Sequence, residues 1–206
     1  MEKREAEVRL FDSSEELSSC LADYVVQISD IAVKERGAFS LVLSGGDLAE
    51  RLGKLASVAF LKTVDWSKWH VFWAEENVVA KRHPEAYTSK PKKLLSPSIM
   101  KSRSHNFLVP IPPAHVISVS HGVAGESAAE TYEFSIRQQI RKRRVPVSPS
   151  SDCPMFDLVL LALGTDGQVA SLFPNHPVLK EETQWVSWIS SKDAPRESVI
   201  SHSPRH

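Results

Sequence analysis

Phe156-Asp157-Leu158-Val159-Leu160-Leu161-Ala162-Leu163-Gly164-Thr165-Asp166-Gly167-Gln168 contains the most apolar run of this 206-residue sequence, and the run stops on a polar turn with two glycines. A short continuous apolar stretch bounded by turn residues marks a strand covered on both faces. Two other stretches have the same form. Residues 39–43 are apolar up to Ser44-Gly45-Gly46, and residues 70–73 are apolar up to Glu75-Glu76-Asn77. Helical patterns lie between them. Residues 13–35 open with a Ser-x-x-Glu capping box at Ser13 and Glu16, place Leu17, Leu21, Tyr24, Val25, Ile28 and Ile31 on one face, and stop at Gly37. Residues 47–56 form a second helix, and 126–144 a third with Ala129, Tyr132, Ile136 and Ile140 along one side. Buried strands alternating with helices predict an α/β fold with a mainly parallel sheet flanked by helices.

The rest is less periodic. Residues 115–119 and 185–189 read as short strands, 168–174 as a short helical turn, and 145–154 as a Pro- and Ser-rich loop. Pro84, Pro91 and Pro97 punctuate a stretch whose segment 96–105 is polar and basic, which reads as a mobile surface insertion.

Twenty-five Lys and Arg balance twenty-five Asp and Glu, so no global field draws the chain to nucleic acid or an anionic membrane. No apolar run approaches the ~20 residues of a bilayer crossing. The acidic start, Met-Glu-Lys-Arg-Glu-Ala-Glu, resembles neither a signal nor a transit peptide, and two cysteines, Cys20 and Cys153, make a poor disulfide framework; the expected compartment is the cytosol. The eight histidines fall at no ligand spacing, so no metal is expected. Arg141-Lys142-Arg143-Arg144 reads as a solvated helix end favoured by the dipole rather than a nucleic-acid patch. The residues do not fix an oligomeric state.

In open parallel sheets ligands gather where strands end, which singles out 44–47, 75–77 and 164–168. Ser44-Gly45-Gly46 leads into a helix whose first N–H groups suit a phosphate, though a plain tight turn accounts for the glycines equally well. Six residues separate Gly46 from Gly53-Lys54, so this is not a P-loop; Gly-x-Gly-x-x-Gly and Gly-x-Ser-x-Gly are also absent.

Three blocks, in order, carry a resemblance: Val42-Leu43-Ser44-Gly45-Gly46; Trp69-His70-Val71-Phe72-Trp73-Ala74-Glu75-Glu76-Asn77-Val78-Val79; and 156–174, ending Gly164-Thr165-Asp166-Gly167-Gln168-Val169-Ala170-Ser171-Leu172-Phe173-Pro174. Together they resemble the 6-phosphogluconolactonase family. Ile111-Pro112-Pro113 and 128–133 are similar to it as well. The resemblance implies a Rossmann-like sheet shared with glucosamine-6-phosphate deaminases and ribose-5-phosphate isomerases. It implies hydrolysis of 6-phospho-D-glucono-1,5-lactone, a small sugar phosphate lactone, in the oxidative pentose phosphate pathway, with no metal and no cofactor. Carried over by position, the catalytic set is Gln168, Asp166, Asn77 and Glu75, and the substrate and phosphate set is Ser44, Gly45, Gly46, Asp47 and Arg196. The family continues past the strand at 185–189 through further strand and helix. By that measure 1–206 is a single, C-terminally shortened domain of this type with a sheet edge left uncovered.

Four polar positions depart from the family pattern. Gln168 stands where the family usually has His, the proposed base; Asn77 where it has Arg; Asp47 where it has Ser; and Ala86 where an Asn precedes the position of Tyr87. Glutamine positions water but cannot take its proton. Asparagine supplies no charge to an oxyanion. Asp47 beside a phosphate adds roughly 4 kcal/mol of repulsion at about 4 Å and an effective dielectric near 20. The expected function is a 6-phosphogluconolactonase-type hydrolase with impaired activity; the alternative is a non-catalytic paralogue that binds or interacts. His83 and His176 are the candidate substitutes for the base, and Ser198 aligns where the family's arginine falls, beside Arg196.

Overall fold

Alternation along two adjacent strands fixes the layers. In β1 (Phe39–Leu43) and β2 (Trp69–Trp73), paired in parallel with Phe39 opposite Trp69, every residue is buried. Phe39, Leu41, Leu43, Trp69, Val71 and Trp73 belong to one core cluster, and Val42 and Phe72 to another. Successive side chains of a strand point to opposite faces, so these two strands are covered on both, unlike the run 156–163, where Val159, Leu161 and Leu163 are exposed against expectation. The computed structural model describes residues 6–44, 48–78, 109–165, 167–170, 172–190 and 197–201.

The first face is covered by α1 (Ser14–Arg36), α2 (Leu48–Arg51) and its continuation as a 3-10 helix at Leu52–Ala56. Ser13 caps α1 by accepting the Glu16 N–H at 3.1 Å, and Gly37, at φ 75°, donates its N–H to the Val33 carbonyl at 2.8 Å. That left-handed cap is why the helix stops at glycine. Trp66, Trp69 and Trp73 are buried on this side, Trp66 and Trp69 with rings 4.7 Å apart. A further helix, α3 (Val58–Thr63), follows.

The opposite face is covered by α4 (Gly125–Arg141), whose Ala128, Ala129, Tyr132 and Ile136 are buried against Val42 and Phe72. Beyond β1 lies β4 (Leu158–Leu160), parallel to it with Leu41 opposite Leu158, giving the order β2-β1-β4. The strand is shorter than the apolar run 156–163 that announced it.

The second sheet is antiparallel, with order β3-β6-β5. β3 (Glu75–Asn77) follows β2 after Ala74, and β6 (Glu197–Ser201) lies between it and β5 (Val186–Ser190). Val186 and Val199 join the same core cluster as Val42 and Phe72, so the two sheets share apolar contacts. The expectation at 115–119 reduces to a 3-10 turn at Pro113–His115 and one parallel bridge, Val116 to Val71. The expected helical turn at 168–174 is instead a pair of antiparallel bridges, Leu163 to Val169 and Val169 to Leu172. Left-handed backbone at Gly167 (φ 79°) and Ala170 (φ 55°) turns the chain too tightly for a helix. The surface insertion expected around 84–105 lies outside the described residues.

Candidate functional site

Because β1, β2 and β4 run in parallel, their carboxyl ends lie together, bringing Ser44, the start of β3 and the 163–172 hairpin to one end of the sheet. Ser44 is buried there. Its N–H donates to the Leu160 carbonyl at 3.0 Å, and its Oγ accepts the Ala162 N–H at 2.8 Å. The hydroxyl therefore holds the exit of β4 against β1, and through it the chain that leads to Gln168. Opposite, the Ala74 N–H donates to the Leu43 carbonyl at 2.8 Å and carries the pairing one residue past β2.

Gln168 sits in the hairpin, partly exposed, its backbone carbonyl accepting the Gly164 N–H at 2.8 Å. Gly167 N–H donates to the Gly164 carbonyl at 3.1 Å, closing the turn that the two glycines allow. Glu75 and Asn77 are on β3, opposite Ile200 and Ser198 of β6; Glu75 is buried and Asn77 half-buried. So of the residues singled out in the sequence, Ser44, Glu75, Asn77 and Gln168 stand at one sheet end. Gly45, Gly46, Asp47, Asp166 and Arg196 lie outside the described residues, as do Ala86 and His83. His176 is committed elsewhere: its Nδ1 accepts the Val178 N–H at 3.2 Å at the start of a 3-10 helix, Pro177–Lys180.

Two buried polar groups escaped the sequence reading. Glu76, fully buried, accepts the Val119 N–H through Oε2 at 3.1 Å, and its Oε1 lies 3.4 Å from His121 Nε2. It anchors β3 to the segment ahead of α4. Tyr132 accepts the Trp73 N–H at 2.7 Å and donates to the Trp73 carbonyl at 3.0 Å, locking the last residue of β2. Burial drives its phenol far above the ordinary tyrosine range, so it acts only as a neutral bridge. The run Glu75-Glu76-Asn77 looked like a polar loop, and nothing in its composition separated the buried middle residue from its neighbours. α4 also reaches the second sheet: Glu133 accepts the N–H groups of Trp185 (3.1 Å) and Val186 (3.3 Å), while the Arg137 guanidinium lies 3.8 Å over the Trp185 ring. Among the described residues no group of three or more His, Cys, Asp or Glu is placed to hold a metal ion, and no helix is long and apolar enough to cross a membrane.

A parallel sheet with glycine-bearing strand ends on one side, continued by an antiparallel sheet that returns to the same end, is a shape other proteins share. Residues 12–205 match the family described as glucosamine-6-phosphate isomerases/6-phosphogluconolactonase. The chain belongs to that family. It is 47% identical over 195 residues to a probable 6-phosphogluconolactonase 1 of Oryza sativa subsp. japonica, covering 94% of this chain and 62% of the rice protein. It is 45% identical over 194 residues to its Arabidopsis thaliana counterpart, with 94% and 68% covered. A probable chloroplastic 6-phosphogluconolactonase 4 of Oryza sativa subsp. indica is 42% identical over 190 residues, with 92% and 55% covered. The chain thus spans somewhat under two thirds of the first of these relatives. Among solved structures, the 6-phosphogluconolactonase of Trypanosoma cruzi superposes with a TM-score of 0.72 at 23% identity, over 92% of this chain and 71% of that one. The Thermotoga maritima enzyme gives 0.68 at 21%, over 90% and 72%. At these identities the structures establish the family's α/β fold.

Proposed function

We propose that this member of the lactonase family opens 6-phospho-D-glucono-1,5-lactone to 6-phospho-D-gluconate, with a site weakened at its base and at its oxyanion cation. Membership of the family and the names of the plant relatives support the substrate. The observation that carries the weakening is Gln168 on the glycine hairpin at the carboxyl end of β4.

Hydrolysis adds water to the lactone carbonyl carbon, breaks the ring C–O bond and returns a proton to the sugar hydroxyl. The water must lose a proton as it attacks, and the carbonyl oxygen must be stabilised as charge develops. In this reading Gln168 orients the water through its amide, and a carboxylate, Asp166 or Glu75, takes the proton. Asn77 offers the oxyanion a neutral donor where a cation serves better. The stretch 44–47 holds the phosphate at the helix start, with Asp47 opposing it and Arg196 as the available cation. We also read 1–206 as one domain, on the core shared by the two sheets, and place it in the cytosol, on the two unpaired cysteines Cys20 and Cys153.

The test is lactone opening by the purified full chain, corrected for spontaneous hydrolysis. The wild type is expected to turn over slowly, and Gln168→His to raise the rate by about tenfold or more, a fraction of the 10²–10⁴ that a positioned base contributes. Ordinary lactonase turnover that Gln168→Ala leaves unchanged rejects this assignment of the base. No turnover in either form, with calorimetric binding of 6-phosphogluconate intact, favours the binding paralogue that the same substitutions suggest.

A further inference from the structure

β5 carries a buried polar side chain that points away from the helix packed on its other face. Val186 belongs to the core cluster of α4 and, with Trp188, lines a groove beside Phe134 of that helix, while Glu133 takes the Val186 N–H. Successive side chains of a strand point to opposite faces, so Ser187 turns away from α4. It is nevertheless only 7% exposed. A buried hydroxyl in the run Val186-Ser187-Trp188-Ile189 is the informative exception, because an apolar residue fills such a position without demanding a hydrogen bond.

The register shows what shares that side. Ser187 and Glu75 both stand opposite Ile200, and Asn77 and Ile189 both stand opposite Ser198. Residues directly opposite one another lie on one face of a sheet, so Glu75, Asn77, Ser187 and Ile189 are together, and Glu76, Val199 and Trp188 lie on the other side. The chain entering β3 agrees. Phe72 and Ala74 belong to the α4 cluster and Trp73 to the α1 cluster; Glu76 continues the α4 side in reaching Val119, while Glu75 and Asn77 continue the side of Trp73. That is the side on which the chain passes from β1 into α2. Ile189, the apolar member of the four, packs into neither core cluster among the described residues. Strands lie ~4.8 Å apart, so the backbones at Ser187 and Glu75, two strands apart, are ~10 Å from each other. The two side chains are too far apart to bond one another, and they bracket a space of the width of a sugar ring.

We propose, resting on the lactonase reading above, that Ser187 contacts the substrate: its hydroxyl hydrogen-bonds a ring hydroxyl of the sugar, across the bound molecule from Glu75 and Asn77. A serine hydroxyl both donates and accepts, which suits a sugar hydroxyl that does the same, whereas the Glu75 carboxylate only accepts. Ser187 moves no proton in the reaction. It fixes the ring against the reacting groups and selects for a substrate that carries the hydroxyl.

Calorimetric titration into the full chain tests this, with 6-phosphogluconate, its analogues lacking the 2-, 3- or 4-hydroxyl, and inorganic phosphate. Ser187→Ala should weaken 6-phosphogluconate about three- to tenfold, as loss of one hydrogen bond does, and leave inorganic phosphate unchanged. One deoxy analogue should bind the wild type and Ser187→Ala alike, because the hydroxyl that Ser187 reads is already gone. Ser187→Cys, of serine's shape but a weak donor, should give the same pattern, and Ser187→Thr, which keeps the hydroxyl, should stay within about twofold of the wild type. A serine that only supports the strand would lower the melting temperature and weaken every ligand by one common factor. That result overturns the proposal, and so does equal affinity of the wild type and Ser187→Ala for 6-phosphogluconate. A wild type that binds none of the sugar acids overturns the lactonase reading itself, which separates the two failures.

Discussion

The two ends of the central sheet use similar residues for opposite purposes. β1 carries a serine near each end, and each holds β4. At the amino end the Asp157 carboxylate accepts the Ser40 N–H and Oγ, both at 2.8 Å, and pairs with Arg36, while Asp157 N–H donates back to Ser40 Oγ at 3.0 Å. These polar groups are spent on one another. At the carboxyl end Ser44 makes two such bonds, to the Leu160 carbonyl and from the Ala162 N–H, and no charged side chain joins them among the described residues. A polar residue in a strand therefore points to function only where the backbone stops pairing around it.

The largest effect that would sharpen this contrast is at the amino end. Asp157→Ala leaves the Ser40 N–H and the Arg36 guanidinium without their acceptor, and should cost about 3 kcal/mol in urea unfolding. Binding of 6-phosphogluconate should stay unchanged in the folded variant. A loss below about 1 kcal/mol would remove the clamp from the comparison.

At the carboxyl end, Tyr132→Phe strips both partners from the buried Trp73 backbone and should cost about 2 kcal/mol. Here, unlike Asp157→Ala, turnover should fall too, because Trp73 leads directly into β3. If stability falls with turnover intact, β3 is held by Glu76 and its pairing with β6 without help from Tyr132.

The smallest effect is a pH dependence located at the amino end. His70 lies at register with Ser40, its ring 4.2 Å from that of His115. Burial, with help from the His115 and Arg144 charges, lowers its pKa to about 3, and burial lowers that of His115 as well. The His70 ring thus stays neutral in the folded chain down to about pH 3, and the His115 ring holds a proton less readily than a free imidazole, whereas the unfolded chain takes up protons below its ordinary histidine pKa of ~6.5. Stability is present in full above that value and declines as pH falls from it toward 3. For His70 the slope approaches ~1.4 kcal/mol per unit, with the first ~1 kcal/mol lost by about pH 5.5, and His115 adds to it in the same direction. Urea midpoints at pH 7.0 and 5.5 measure it. His70→Phe should flatten the dependence, and an unchanged slope would remove His70 as its source.

The legibility of the sequence follows the same division. α1, β1, β2 and α4 were readable because burial on one face of a helix, or both faces of a strand, leaves a period or a run of apolar residues. Of the second sheet only β5 was, as the strand read at 185–189; β3 is Glu75-Glu76-Asn77, and its pairing with β6 is made across more than 110 positions by backbone bonds that side-chain type does not encode. α3 has no buried residue to mark it. In the hairpin, Val169, Ala170 and Leu172 suggested a helix until the left-handed residues around them turned the chain. Ser44 and Gln168 were found by strand-end position and family resemblance; the roles of Glu76 and Tyr132 depend on depth, which a single sequence does not report.

The tryptophans on the α1 face give this architecture an optical consequence. Trp66, Trp69 and Trp73 are at most 4% exposed, and their indole N–H groups have no hydrogen-bond partner among the described residues, whereas Trp188 of β5 is 41% exposed. Indoles kept from water emit toward the blue and escape aqueous quenchers, while an exposed one emits toward the red and is quenched at once. The fifth tryptophan, Trp185, is buried in the opposite cluster beneath Arg137, so four of the five are shielded and Trp188 alone is open to an aqueous quencher. A red shift therefore marks water reaching either face of the sheet, and the fraction quenched in the folded chain reports on β5.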